Sequence, residues 1–240
     1  MAIPSSDDRL EWSIRATRLG TEVLLALIEE VEKDLGASSL LPGWSRAHVL
    51  AHVAHNAEAL LRLLKWASTG VETPMYASPE QRDAQIEETS RQPGNDLKRN
   101  VHRTALDLDR ALSSHPEEAW QAKVRTARGR PILASEIPWM RNREVWMHGI
   151  DLAVGAPAAR LPDEVIDALL DDVFASFEAR GDVPPIVFEP TDRTRIWRIG
   201  SSGSSKVLRG KASDTLFWMV GRAGPTDMIA KTTWTPPIWR

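Results

Sequence analysis

Residues 136–155 read EIPWMRNREVWMHGIDLAVG, and the placing of their ionisable groups decides the fold. Ser135 opens a predicted helix that tolerates Pro138 because this residue falls in the first turn, where a missing N–H costs nothing. The helix is expected to run to about Val154 and to stop at Gly155-Ala156-Pro157. Glu144 and His148 are four residues apart, so their side chains stack on one face about 6 Å apart along the axis. Arg141 and Asp151 extend this stripe, with Met140 and Met147 on one flank and Val145 and Leu152 on the other. A surface helix has one polar and one apolar face. A narrow polar stripe between two apolar flanks instead places ionisable groups inside a helical bundle. A carboxylate and an imidazole buried there need a partner, and a metal ion supplies one. The alternative is a solvated i,i+4 Glu–His contact, which this spacing alone also produces.

A third ligand must come from another helix. The segment WSRAHVLAHVAHN, residues 44–56, carries His48, His52 and His55. At about 100° per residue, His52 lies roughly 40° from His48, with His55 roughly 20° to the other side. All three share one side, and spacing does not select among them. The apolar stripe of Val49, Leu50, Val53, Leu60, Leu61, Leu63 and Leu64 comes nearest to His52, while His48 and His55 point further toward solvent. Burial therefore favours His52 by a small margin. His52, Glu144 and His148 form a His₂Glu set, which suits zinc and leaves at least one position for water or substrate.

The rest of the composition excludes more than it selects. The 240 residues contain no cysteine, which rules out disulfides, thiolate metal sites and a cysteine nucleophile. Any thiol chemistry has to use a thiol from outside. A net charge of −3, from 30 Lys and Arg against 33 Asp and Glu, argues against nucleic-acid binding. The start, MAIPSSDDRLEW, lacks a basic region followed by an apolar run, and the longest charge-free stretch, Ala47–Ala57, is far shorter than the roughly 20 residues of a spanning helix. A cytoplasmic protein without membrane partners is expected.

Helices are predicted over Asp7–Leu35, Ser45–Ser68 and Glu80–Ser114, the last kinked or split at Pro93-Gly94. Gln121–Arg128 reads as a short strand leading into a turn at Arg128-Gly129-Arg130. Beyond residue 157 the pattern changes to a helix over Pro162–Arg180, strands at Ile186–Glu189, Ile196–Ile199 and Val207–Arg209, a short helix over Asp214–Gly221 and a last strand at Met228–Lys231. Gly200–Ser205 is expected to be the hairpin loop between the second and third strands. The fold class is thus α+β, a four-helix metal-binding bundle over residues 1–157 followed by a small α+β domain over 158–240.

Three segments, GWSRAHVLAHVAHN (43–56), EIPWMRNREVWMHGIDLAVG (136–155) and DTLFWMVGR (214–222), carry a resemblance to the mycothiol-dependent maleylpyruvate isomerase family. The amino-terminal part of that family belongs to the DinB-like four-helix-bundle superfamily, whose members bind a divalent metal between helices. The resemblance implies zinc ligands at His52, Glu144 and His148 and an important arginine at Arg222. It implies mycothiol as thiol cofactor, a small dicarboxylate substrate, and cis–trans isomerisation of maleylpyruvate to fumarylpyruvate in gentisate breakdown. A C=C bond does not rotate at room temperature, so a thiolate adds, the resulting single bond rotates, and elimination returns the trans alkene and the thiolate. Zinc lowers the pKa of a bound thiol, and Arg222 offers a bidentate carboxylate clamp from the second domain; its alternative role is a helix-end arginine meeting exposed carbonyls. A mycothiol-dependent S-transferase on the same fold and a non-catalytic metal-binding regulatory module are the competing readings. His48, His55, Asn56 and Asp151 are candidates to support the ligands, Asp151 alternatively being an exposed charge. Arg82, Arg141 and Arg143 are candidates for anion or sugar binding or for surface ion pairs, and Trp44, Trp139 and Trp146 for the wall of the site.

Overall fold

A computed structural model describes residues 6–31, 34–154, 161–181, 183–200, 206–223 and 235–237. The chain divides into two compact units, Met1–Gly155 and Ala156–Arg240.

The first unit is built on α1 (Ser6–Val31), α2 (Arg46–Thr69), α3 (Pro79–Ser90), α4 (Gly94–Ser113) and α5 (Ile137–Asp151). Four of these form the bundle: α5 packs on α1 and α2, α2 also packs on α4, and α4 meets α1. The third predicted helical region is split, as Pro93 caps the start of α4 without a side-chain bond; the preceding piece, α3, lies against α2. Ser45 caps α2 by accepting from the His48 N–H, and Gly70 ends it in the left-handed region at φ 71°. The apolar stripe read from the sequence is the core: Val49, Leu50, Val53, Leu60, Leu63 and Leu64 are buried. Gly20 lets α1 approach α5, since a Cβ there would lie 2.7 Å from Val145 Cγ2 and 2.8 Å from Trp146 Nε1.

Two ends differ from expectation. The first helix is described to Val31 and has ended by residues 34 and 35, short of the expected end at Leu35, and α5 stops at Asp151 rather than near Val154. At α5 the chain turns left-handed at Ala153, φ 55°, which ends the ladder without a glycine. The freed carbonyls are met by Arg46, whose Nε donates to the Leu152 carbonyl (2.8 Å) and whose Nη2 donates to that of Ala153 (3.3 Å). The Leu40 N–H donates to the Asp151 carbonyl at 3.0 Å. These bonds tie the start of α2 to the end of α5, and so fix His52 against His148.

The predicted strand at Gln121–Arg128 narrows to β1 (Lys123–Arg125), because Gln121 belongs to a 3₁₀ turn, Glu117–Gln121. It pairs antiparallel with β2 (Pro131–Leu133), which the sequence hides behind a proline at its first residue. Val124 and Ile132 face each other and close one end of the core with Leu60, Leu63, Leu112 and Trp120.

The second unit contains α6 (Asp163–Arg180), β3 (Ile186–Pro190), β4 (Trp197–Ile199), β5 (Lys206–Gly210) and α7 (Ala212–Met219). The sheet order is β4-β3-β5, with β3 antiparallel to β4 and parallel to β5. The expected hairpin of β4 with β5 is therefore absent, and residues 200–205 join two edge strands. Burial explains the order: Ile186, Val187 and Phe188 are all buried, as a central strand requires, whereas β5 alternates and exposes Val207. The predicted strand Met228–Lys231 lies outside the described residues. Among the described residues no helix is long and apolar enough to cross a membrane.

Candidate metal centre

The polar stripe of α5 faces inward. Arg141 and Asp151 are fully buried, and Glu144 and His148 are half-buried. Across from them α2 presents His52, whose side chain is 8% exposed. Glu144 Oε2 lies 2.9 Å from His52 Nε2 and 3.1 Å from His148 Nε2. One ligand atom from each of the three residues lies within 4.8 Å of the other two, and the two imidazoles meet edge to face with centroids 4.6 Å apart.

Partners fix how each ring is protonated. Asp151 accepts from His148 Nδ1 at 2.9 Å while Glu144 accepts from its Nε2. Burial pushes the His148 pKa down, but the two carboxylates more than reverse this and hold it at about 9. His52 goes the other way: burial drives it down to about 4 despite the bond to Glu144. The Arg82 guanidinium Nη2, which only donates, sits 3.3 Å from His52 Nδ1, so His52 carries its proton on Nε2 and gives it to Glu144. Burial raises Glu144, yet its bonds to His148 and His52 win and keep it well below the usual carboxylate range.

The donor set fits a divalent metal. Two imidazole nitrogens and a carboxylate oxygen converge, and a buried carboxylate holds the far N–H of one imidazole, the arrangement that orients metal-ligating histidines. With Nδ1–H held by Asp151, a neutral His148 turns the Nε2 lone pair toward Glu144, an alignment that a cation between them makes favourable. Three ligands leave room for a further one.

The other two histidines of α2 are occupied elsewhere. His48 Nδ1 accepts from the Ser45 N–H (3.3 Å), completing a cap, while its Nε2 bonds Glu87 on α3 at 3.0 Å. His55 Nε2 meets Thr89 Oγ1 of α3 at 2.8 Å, and its Nδ1 lies 3.3 Å from Glu58 Oε2. Both are more exposed than His52, as expected, and the partners that hold them away from the ligand set stand on α3. Asn56 supports the site indirectly, since Arg141 Nη1 donates to Asn56 Oδ1 (2.9 Å) and to the Val53 carbonyl (2.8 Å). Asp151, at 0% exposure, is no surface charge. Trp44 lies 5.5 Å from the His52 ring and walls the site. Trp139 and Trp146 turn instead toward α1, against Trp12 and Gly20. Arg222 belongs to the second unit, just beyond α7, where its Nη1 donates to the Val220 carbonyl at 2.7 Å. Tyr76, the sole tyrosine, lies in a loop with no periodic pattern to single it out; the Arg82 guanidinium lies 5.9 Å from its ring centroid.

The model of the family described as mycothiol maleylpyruvate isomerase N-terminal domain matches residues 17–153. The crystal structure of the mycothiol-dependent maleylpyruvate isomerase superposes with a TM-score of 0.90 at 32% identity, covering 99% of this chain and 100% of that one. The H52A mutant of the mycothiol-dependent maleylpyruvate isomerase gives 0.89 at the same identity and coverage. No curated protein sequence matches the chain.

Proposed function

The chain belongs to the mycothiol maleylpyruvate isomerase family, and from that premise we propose that it isomerises maleylpyruvate to fumarylpyruvate with mycothiol as thiol cofactor. His52, Glu144 and His148 hold the metal in this reading, and zinc is the ion that two imidazoles and one carboxylate suit best. A bound zinc ion would lower the pKa of a thiol beside it, and the pair would supply reversible addition to the double bond. The observation that carries the proposal is the convergence of His52 Nε2, Glu144 Oε2 and His148 Nε2 in a chain that has no cysteine of its own.

The remaining work falls to the protein. Asp151 keeps the proton of His148 on Nδ1, away from the centre. Trp44 packs against the His52 ring at an interplanar angle of 58° and forms one wall of the centre. Arg141 holds α5 to α2 through Val53 and Asn56, which sets the spacing between Glu144 and His52. Arg222 is assigned to a substrate carboxylate, matching the fork of a guanidinium to two oxygens. A cytoplasmic location accords with the use of a low-molecular-weight thiol.

The test is an absorbance assay of the purified, zinc-loaded protein with maleylpyruvate, with and without mycothiol, repeated after treatment with a chelator. Conversion that needs both thiol and metal is the expected result. Conversion that survives metal removal contradicts the site assignment, and a stable thioether adduct in place of a trans product assigns a transferase instead.

A further inference from the structure

Arg82 touches the metal centre without belonging to its ligand set. It stands on α3 with its side chain 30% exposed, and its Nη2 lies 3.3 Å from His52 Nδ1. Its position is fixed from below. Tyr76 is half-buried and carries two guanidinium groups, Arg62 from α2 and Arg82 from α3, each 5.9 Å from the ring centroid. Arg62 Nε also donates to the Met75 carbonyl at 2.9 Å, which pins the Met75-Tyr76 segment to α2. The carboxylate paired with Arg82 is that of its neighbour Asp83, 2.6 Å from Nη1 and 68% exposed, where water screens most of the attraction.

The contact with His52 is compatible only with one tautomer. An imidazole that gives its Nε2 lone pair to a metal keeps its proton on Nδ1, and an N–H there accepts nothing from a guanidinium. A metal ion also adds positive charge beside a cation already present. Both effects release Nη2 from His52 and leave the edge of the site in need of an anion. We propose that Arg82, held against the Tyr76 ring, binds a carboxylate of the dicarboxylate substrate beside the metal centre. The proposal rests on the isomerase reading above for its ligand class.

Arg82→Met and Arg82→Lys in the zinc-loaded protein test it with three readouts: the KM values for maleylpyruvate and for mycothiol, calorimetric binding of maleate, and zinc affinity by chelator competition. For Arg82→Met, a charge-assisted bond lost from the substrate raises the KM for maleylpyruvate about 10–100-fold. Maleate binding weakens in parallel, and the KM for mycothiol stays within about twofold. Zinc affinity is kept or tightens, on the order of 3–10-fold, because a competing donor to His52 and a repelling cation are gone. Arg82→Lys, which keeps the charge, recovers part of the maleate binding. An unchanged KM for maleylpyruvate overturns the proposal, and so does a rise confined to the KM for mycothiol. Weakened zinc binding that tracks the loss of maleate also overturns it, because Arg82 then only supports His52. A wild-type protein that binds maleate through Arg82 yet converts no maleylpyruvate refutes the isomerase reading and leaves the anion site standing.

Discussion

Replacing Asp151 by Asn isolates the contribution of the orienting carboxylate. Asp151 is 0% exposed and accepts from His148 Nδ1 at 2.9 Å. The amide keeps the shape and retains one acceptor oxygen but removes the negative charge. Partners of this kind change metal affinity by about 10–100-fold when altered, equivalent to about 1.4–2.8 kcal/mol. The zinc dissociation constant of Asp151→Asn should therefore rise by that factor in a titration against a chromophoric chelator. A second readout comes from the metal-free protein. Burial lowers His148 while Asp151 and Glu144 raise it, to about 9, so loss of the Asp151 charge should move the imidazole titration, followed by NMR, to lower pH. Zinc affinity within twofold of wild type, together with a His148 pKa still near 9, would refute the reasoning that Asp151 organises this ligand.

Four further outcomes are expected. His52→Ala should abolish both stoichiometric zinc and turnover, whereas His55→Ala, which removes bonds to Thr89 and Glu58 and none to the ligand set, should keep zinc; loss of zinc in both variants to the same degree would contradict the assignment. Arg222→Met should leave zinc content intact and lower turnover at least tenfold, and unchanged activity removes Arg222 from the mechanism. The chelator-treated protein should be most stable near pH 6.5: His52, lowered to about 4, takes up its proton in the unfolded chain first as the pH falls, and the stabilisation from His148, raised to about 9, is lost as the pH rises through that value. Urea midpoints that stay flat from pH 4 to 10 would contradict both shifts. Gly20→Val should destabilise by roughly 2–3 kcal/mol in urea unfolding, because the new side chain meets Val145 and Trp146; a midpoint equal to wild type would show that α1 moves away at no cost.

What the sequence makes legible here is what local periodicity controls. Glu144 and His148 sit one turn apart with apolar residues on both flanks, and that pattern carries its meaning within a single helix. The choice among His48, His52 and His55 is different in kind. Their directions differ by small angles, and the decision is made by Glu87 and Thr89 on α3, more than thirty residues away. The same limit applies to Asp151, whose spacing from His148 is readable but whose burial depends on the bonds from Leu40 and Arg46 around the end of α5. In the second unit the strand positions follow from apolar runs, yet the order β4-β3-β5 is set by which strand can be buried on both faces, a comparison between strands rather than a property of the turn that joins two of them. Tyr76 and Arg82 meet across the break between a loop and a helix, so no periodic pattern marks them as a pair.

In the proposed reaction a metal held by His52, Glu144 and His148 serves a thiol-dependent isomerisation. Proton NMR of maleylpyruvate incubated with the zinc-loaded protein and a substoichiometric amount of mycothiol tests it most directly. Complete conversion of the cis vinyl signals to those of the trans isomer is expected, with the free thiol undiminished at the end. A mixture that stays cis, or that turns trans at the same rate without mycothiol, would contradict it.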